Sequence, residues 1–201
     1  MELNKSTGAV AIDLDIVAMS PCPFHAPALC NCPPISLLDR VRGKKGRWVT
    51  GRRHVRGKLA TQAFAQFSQA NLLATAESIL DTGNTSRSIS ANTSTGTVRI
   101  VAGTGSTAAA VTDYALQTPT SGASGYVAAT INAYSGSGTS GAFTVTGTVT
   151  NTSGSTITYS EVGVTIVAST YTFLLTHDVF TGLAVSNNGT LATTYTLTYS
   201  A

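Results

Sequence analysis

Charge is scarce in this chain. Asp, Glu, Lys and Arg make up 10% of its 201 residues, against about a quarter in an ordinary soluble domain. Its surface must therefore be built from Ser, Thr, Gly and Asn, or be covered by neighbours. Weak self-repulsion suits a subunit packed at high density. Long apolar runs are lacking too, and none approaches the ~20 residues of a membrane helix. The stretch "GAVAIDLDIVAM" is broken by Asp13 and Asp15, so it fails as the core of a signal peptide. The expectation is a protein made in a cytosol, not exported by the general secretory route, with no membrane partner. Cysteine is confined to Cys22, Cys30 and Cys32. A secreted disulfide framework would spread an even number of cysteines along the fold.

The few charges are placed unevenly. Residues 1–60 carry ten bases and four acids, net +6; residues 61–201 carry two bases and five acids, net −3. Nine of the bases fall within 39–58: Arg40, Arg42, Lys44, Lys45, Arg47, Arg52, Arg53, Arg56 and Lys58. Gly43, Gly46, Gly51 and Gly57 deny that run a stable helix. Such a run can neutralise phosphates, with Trp48 and His54 among the bases, or lie over an acidic protein surface. Nothing in it presents a recognition helix or zinc finger for specific readout.

Five of the six prolines lie in "SPCPFHAPALCNCPP", residues 20–34. Proline removes donors and fixes φ, so this stretch is an extended connector. It also holds Cys22, His25, Cys30 and Cys32 in the spacing C-x2-H-x4-C-x-C. Four zinc-type ligands are the right number for a closed, structural tetrahedral site. The tight C-x-C pair and the prolines argue against it, and the alternative is a proline strap with small buried thiols. No redox C-x-x-C is present, and no other cofactor is implied.

Upstream, Val10, Ile12, Leu14 and Ile16 alternate with Asp13 and Asp15, which predicts a strand. With no obvious local partner, it is expected to pair with another sheet, on another subunit. Residues 1–57 thus read as an extended N-terminal arm and 58–83 as a helical linker built on "LATQAFAQFSQANLLATAESIL". Residues 84–201 read as an antiparallel β-sandwich or jelly-roll-like domain. Its strands are "TVRIVA", "GYVAATINAY", "GAFTVTGTVTNT", "STITYSEVGVTIVA", "TYTFLLTHDVF", "TGLAVS" and "GTLATTYTLTYS", separated by Gly/Ser/Asn turns.

Catalytic signatures are weak. "AGTGS" (102–106) lacks the Gly-Lys-Ser/Thr of a phosphate loop. His177–Asp178 has no nucleophile elbow beside it and is expected to be a surface or strand-end pair. Asn-x-Ser/Thr triplets at Asn4, Asn84, Asn92, Asn151 and Asn188 are what a Ser/Thr-rich chain produces by chance. Glu161 in "SEVG" sits among apolar residues and needs a partner if buried. Gly163 after it permits a bulge or close backbone approach. Tyr126, Tyr134, Tyr159 and Tyr171 could stack on sugars but suit core or cross-strand positions better.

Residues 71–201 contain, in order, "NLLATAESIL", "IVAGTGSTAAAVTDYALQTP", "FTVTGTVTNTSGSTITYSEVGV", "FLLTHDVF" and "GTLATTYTLTYS". This series resembles a β-rich module of tailed-phage virion proteins, met in tail-fibre, head-fibre and decoration contexts. Such modules often carry Arg before the acid that precedes the aromatic; His177 stands there in this chain. The resemblance implies assembly or adhesion, not catalysis. The expectation is a virion structural protein, assembled in the host cytoplasm, capsid-associated and anchored by its arm. Its partners would be other virion proteins and copies of itself. The alternatives are a shell-forming coat protein with its basic arm on nucleic acid, and a tail or fibre protein whose β-domain binds a receptor or carbohydrate.

Overall fold

The computed structural model describes residues 9–21, 47–56, 60–73, 76–89, 97–137, 140–168 and 170–200. Eleven strands and one α-helix are present among them: β1 (Ala9–Pro21), β2 (Arg47–Arg56), α1 (Gln62–Leu73), β3 (Glu77–Leu80), β4 (Ser86–Ile89), β5 (Thr97–Gly103), β6 (Tyr126–Ala128), β7 (Thr130–Ser137), β8 (Ser140–Thr150), β9 (Ile157–Ala168), β10 (Tyr171–Val185) and β11 (Thr190–Ser200). The chain is an antiparallel β-sandwich. Sheet one runs β2-β1-β11-β8-β7 and sheet two β10-β9-β5-β6, with β3-β4 a separate hairpin.

Alternation dictates which face each strand buries. Leu14, Ile16 and Ala18 of β1, Val145 and Val149 of β8, and Leu191, Tyr195 and Leu197 of β11 point inward. They meet Ile100, Ala102, Val162 and Val164 of sheet two. The opposite face of sheet one carries threonine in register: Thr144 pairs with Thr196, and Thr146 with both Thr194 and Thr130. Threonine is a good strand former that tolerates water, which is how a sheet with few charges stays hydrated.

The sandwich begins well before residue 84. β1 pairs along its length with β11 and with β2, so the lone strand expected to seek another subunit has two partners in its own chain. Its alternating apolar residues required a buried face, and β11 supplies an edge of matching length. The arm expected over 1–57 therefore contributes two strands to sheet one. The helix is also shorter than expected. It stops at Leu73, and "ESIL" forms β3, paired with β4. Ile79 and Ile89 bury beside Phe67 and Phe173, whose rings meet edge to face at 5.2 Å. This tertiary burial outweighs the helix propensity of Glu and Leu.

The hairpin turn is held by Asp81, which accepts from Gly83 N, Thr85 N and Arg87 Nε at 2.8–2.9 Å. The Arg87 side chain, helped by the Thr85 and Gly83 amides, holds the Asp81 carboxyl below its ordinary value against the opposing effect of desolvation. Arg87 in turn lies 3.9 Å over the Tyr171 ring, pinning the hairpin to β10.

Asn151 joins the two crossover loops. It is fully buried; its Nδ2 donates to Ser155 O and Val185 O, and its Oδ1 accepts from Ser153. Asn84 and Asn188 hold positive φ in turns, where Asn is tolerated. Three of the five Asn-x-Ser/Thr triplets are thus turn or loop devices.

Candidate functional site

Sheet two has a second buried face, covered by the loop between β5 and β6. On it Glu161 of β9 and His177 of β10 are both 0% exposed. Glu161 Oε1 accepts from Gly105 N (3.0 Å) and Thr118 N (2.7 Å), and Oε2 from Gln117 N (2.9 Å). His177 Nε2 lies 3.1 Å from Glu161 Oε2, and its Nδ1 2.6 Å from Asp113 Oδ2. Ala110 N donates to the same Asp113 oxygen at 2.7 Å. Ser160 Oγ ties the loop further by donating to Thr104 O and Gly105 O.

The local sequence explains the convergence. Gly103 and Gly105 let the backbone close on the carboxylate: a Cβ at either position would stand 2.4 or 2.7 Å from Glu161 Oε1. The Gly-rich stretch that superficially resembled a phosphate loop does cradle an anion, and that anion is the chain's own Glu161. Gly163 pairs with His177, and a Cβ there would meet Thr176 O at 2.4 Å. Beside it, the register of β10 shifts between Leu174 and Thr176. Leu175 O is then bonded by Thr61 N, while Gln62 N donates to Val111 O, so the start of α1 clamps both β10 and the loop.

A neutral imidazole has one donor and one acceptor nitrogen. Here both nitrogens face carboxylate oxygens. The three backbone amides on Glu161 complete its set of partners. A catalytic histidine needs one nitrogen for its orienting acid and the other for a nucleophile or substrate. Glu161 and Asp113 occupy both.

Asp178 points the other way, into the space between the sheets, and is 1% exposed. Tyr195 is its neighbour there, and Thr176 bonds the same phenol. Burial above all, and then the Asp178 charge, push the Tyr195 phenol well above its ordinary value. The expectation of a surface or strand-end His177–Asp178 pair is thereby corrected. Both residues sit mid-strand, buried on opposite faces, because consecutive side chains of a strand alternate.

The other candidate residues fall as follows. Cys22, His25, Cys30 and Cys32 lie outside the described residues, as do Arg40, Arg42, Lys44, Lys45 and Lys58. Arg47, Arg52, Arg53 and Arg56 lie on β2, the edge of sheet one. Arg52 is exposed and Arg53 half-buried, its Nη1 donating to Arg52 O. The register sets Asp13 opposite Arg56 and Asp15 opposite His54, and His54 Nδ1 is 2.9 Å from Asp15 Oδ1. Acids therefore stand among these bases. Among the described residues no group of His, Cys, Asp and Glu could hold a metal ion, and no helix is long and apolar enough to cross a membrane.

Of the tyrosines, Tyr159 is fully buried and donates to Ser124 O at 2.7 Å. Tyr171 lies under Arg87, and Tyr126 is exposed, with Arg99 5.1 Å from its ring centre. Sequence reasoning singled out Glu161 as a residue that needs a partner but did not find His177 or Asp113 as that partner. The signal was there in outline: one buried acid, and one histidine at the same parity on a neighbouring strand.

Compared with known protein families, with curated proteins and with solved structures, the chain matches none.

Proposed function

We propose that this chain is a bacteriophage virion structural protein, capsid-associated in the manner of a decoration, cement or head-fibre subunit, and without catalytic activity. The observation that carries the reading is the closed Glu161–His177–Asp113 cluster. The stretches that resemble the virion module ("AGTGS…VTDYALQTP", "SEVGV", "FLLTHDVF") are the ones that converge on it. All their ionisable groups there are used in holding a loop to a sheet, which suits a rigid body and leaves no position open for a reaction. The Thr-rich outer face and the scarcity of charge suit dense packing beside other copies or other virion proteins.

Anchoring by the whole of residues 1–57 is not part of this proposal, since β1 is paired on both sides within the chain and β2 is paired to it. The nucleic-acid reading draws no support from β2, where Asp15 sits against His54.

The test is mass spectrometry of purified virions made from the genome that encodes the chain, followed by electron microscopy of particles with and without it. The expected result is a stoichiometric protein on the head, with additional surface density lost on its deletion. Its absence from purified particles would overturn the proposal.

A further inference from the structure

The two edges of sheet one are unlike. Edge β2, "RWVTGRRHVR", carries four arginines. Charge is one of the usual means by which an edge is kept from pairing with another chain. Edge β7, "TINAYSGS", has no charged residue and no proline. It pairs with β8 on one side, and no described strand lies on the other. Ile131 on this edge is 54% exposed. β6, the edge of sheet two, leads through Ala129 alone into β7 and exposes Tyr126. Two of the four large exposed apolar side chains among the described residues thus lie on this side of the sandwich.

We propose that two copies of this chain pair β7 to β7, antiparallel about a twofold axis, so that sheet one continues across both subunits. A second copy is the partner this edge fits best, because a neutral, hydroxyl-rich strand matches itself in charge and in alternation. Pairing β7 with the partner's β2 would set arginines beside Ile131 and would be head-to-tail, which propagates without closing. The β7–β8 register is regular from Thr130 to Asn132 and shifts before Ser135. A second regular stretch, Ser135–Ser137, follows the shift; the first is centred on Ile131, and burial of that side chain against its twofold mate carries much of the association. This inference stands apart from the virion reading and does not require it.

Sedimentation equilibrium of the full chain over a concentration series tests it. Wild type should show a monomer–dimer equilibrium. Ile131→Lys should raise the dissociation constant by about tenfold or more, the loss expected when one buried aliphatic contact becomes a charge. Thr130→Lys, at an exposed position of the same edge, should act in the same direction and serves if Ile131→Lys alters the fold by circular dichroism. Thr148→Lys, exposed on β8, should leave the equilibrium unchanged. A wild type that is monomeric throughout, association indifferent to the edge lysines, or equal disruption by Thr148→Lys would overturn the proposal.

Discussion

His177 and Glu161, sixteen residues apart in sequence, meet at 3.1 Å on neighbouring strands with no exposure of either side chain. The pair lies beneath a loop that it holds in place through Gly105, Gln117 and Thr118. Removing one member of a buried hydrogen-bonded pair is costly because the other is left enclosed without its partner. His177→Ala or Glu161→Ala should each destabilise the fold by about 1–3 kcal/mol, the cost of leaving a buried polar group unsatisfied. The double variant should cost clearly less than the sum, since it leaves neither polar group stranded. Urea unfolding of the four proteins measures this coupling. His177→Arg, which can still donate to both carboxylates, should stay closer to wild type than His177→Ala.

Gly103 and Gly105 owe their places to the approach of Glu161. A methyl group at Gly103 would also stand 2.5 Å from Thr118 O, a backbone atom that cannot rotate away. Gly103→Ala should cost about 1–3 kcal/mol, as overpacking does, and Gly105→Ala a similar amount. Hydrogen exchange should quicken at the Gln117 and Thr118 amides while the β1–β11 amides keep their protection. Unchanged exchange at those two amides would count against the cradle.

Tyr159 and Tyr195 should make the protein sensitive to alkali. Burial raises both phenols above the ordinary 10.0, Tyr195 far above it. The folded state keeps them neutral, whereas an unfolded chain ionises them near pH 10. Their contribution is fully present below that pH and is lost as pH rises towards the folded values. In an alkaline titration followed by phenolate absorbance, the Tyr195 phenol should ionise only together with unfolding, and Tyr159 later than an exposed phenol. Tyr195→Phe should shift that unfolding to higher pH.

β1 belongs to the body of the protein. Leu14 and Ile16 are 0% exposed and sit in the main core. Deleting residues 1–21 should remove the cooperative thermal transition or leave the chain insoluble. Limited proteolysis of the intact chain should spare 9–21 and 47–56 as it spares β11. A truncated chain with the wild-type melting curve would show that sheet one does not need this strand.

Much of the fold was legible in the sequence, and for a local reason. Strands such as "FTVTGTVT" and "LATTYTLTY" alternate with period two, and Gly/Ser/Asn clusters separate them. These signals depend only on residues within one strand. The end of α1 was less legible, because "ESIL" has residues that a helix accepts. Its strand state depends on Ser86–Ile89 across the turn and on Phe67 and Phe173 below. Of the cluster, the need of Glu161 for a partner could be read, but not which residue would supply it.

The sequence alone determined that the chain is mainly β, that it carries few charges, that residues 9–17 are a strand with one apolar face, and that Glu161 lies among apolar neighbours. Only the tertiary structure decided that this strand lies between β2 and β11, that His177 and Asp178 face opposite ways into two separate buried networks, and that the glycines of "AGTGS" enclose an internal carboxylate. The physical reason is the range of the forces involved. Period-two burial and turn formation are settled within a few consecutive residues. A buried charge is settled by whichever donors the packed chain brings within ~3 Å of it, and here they come from residues up to 56 positions away.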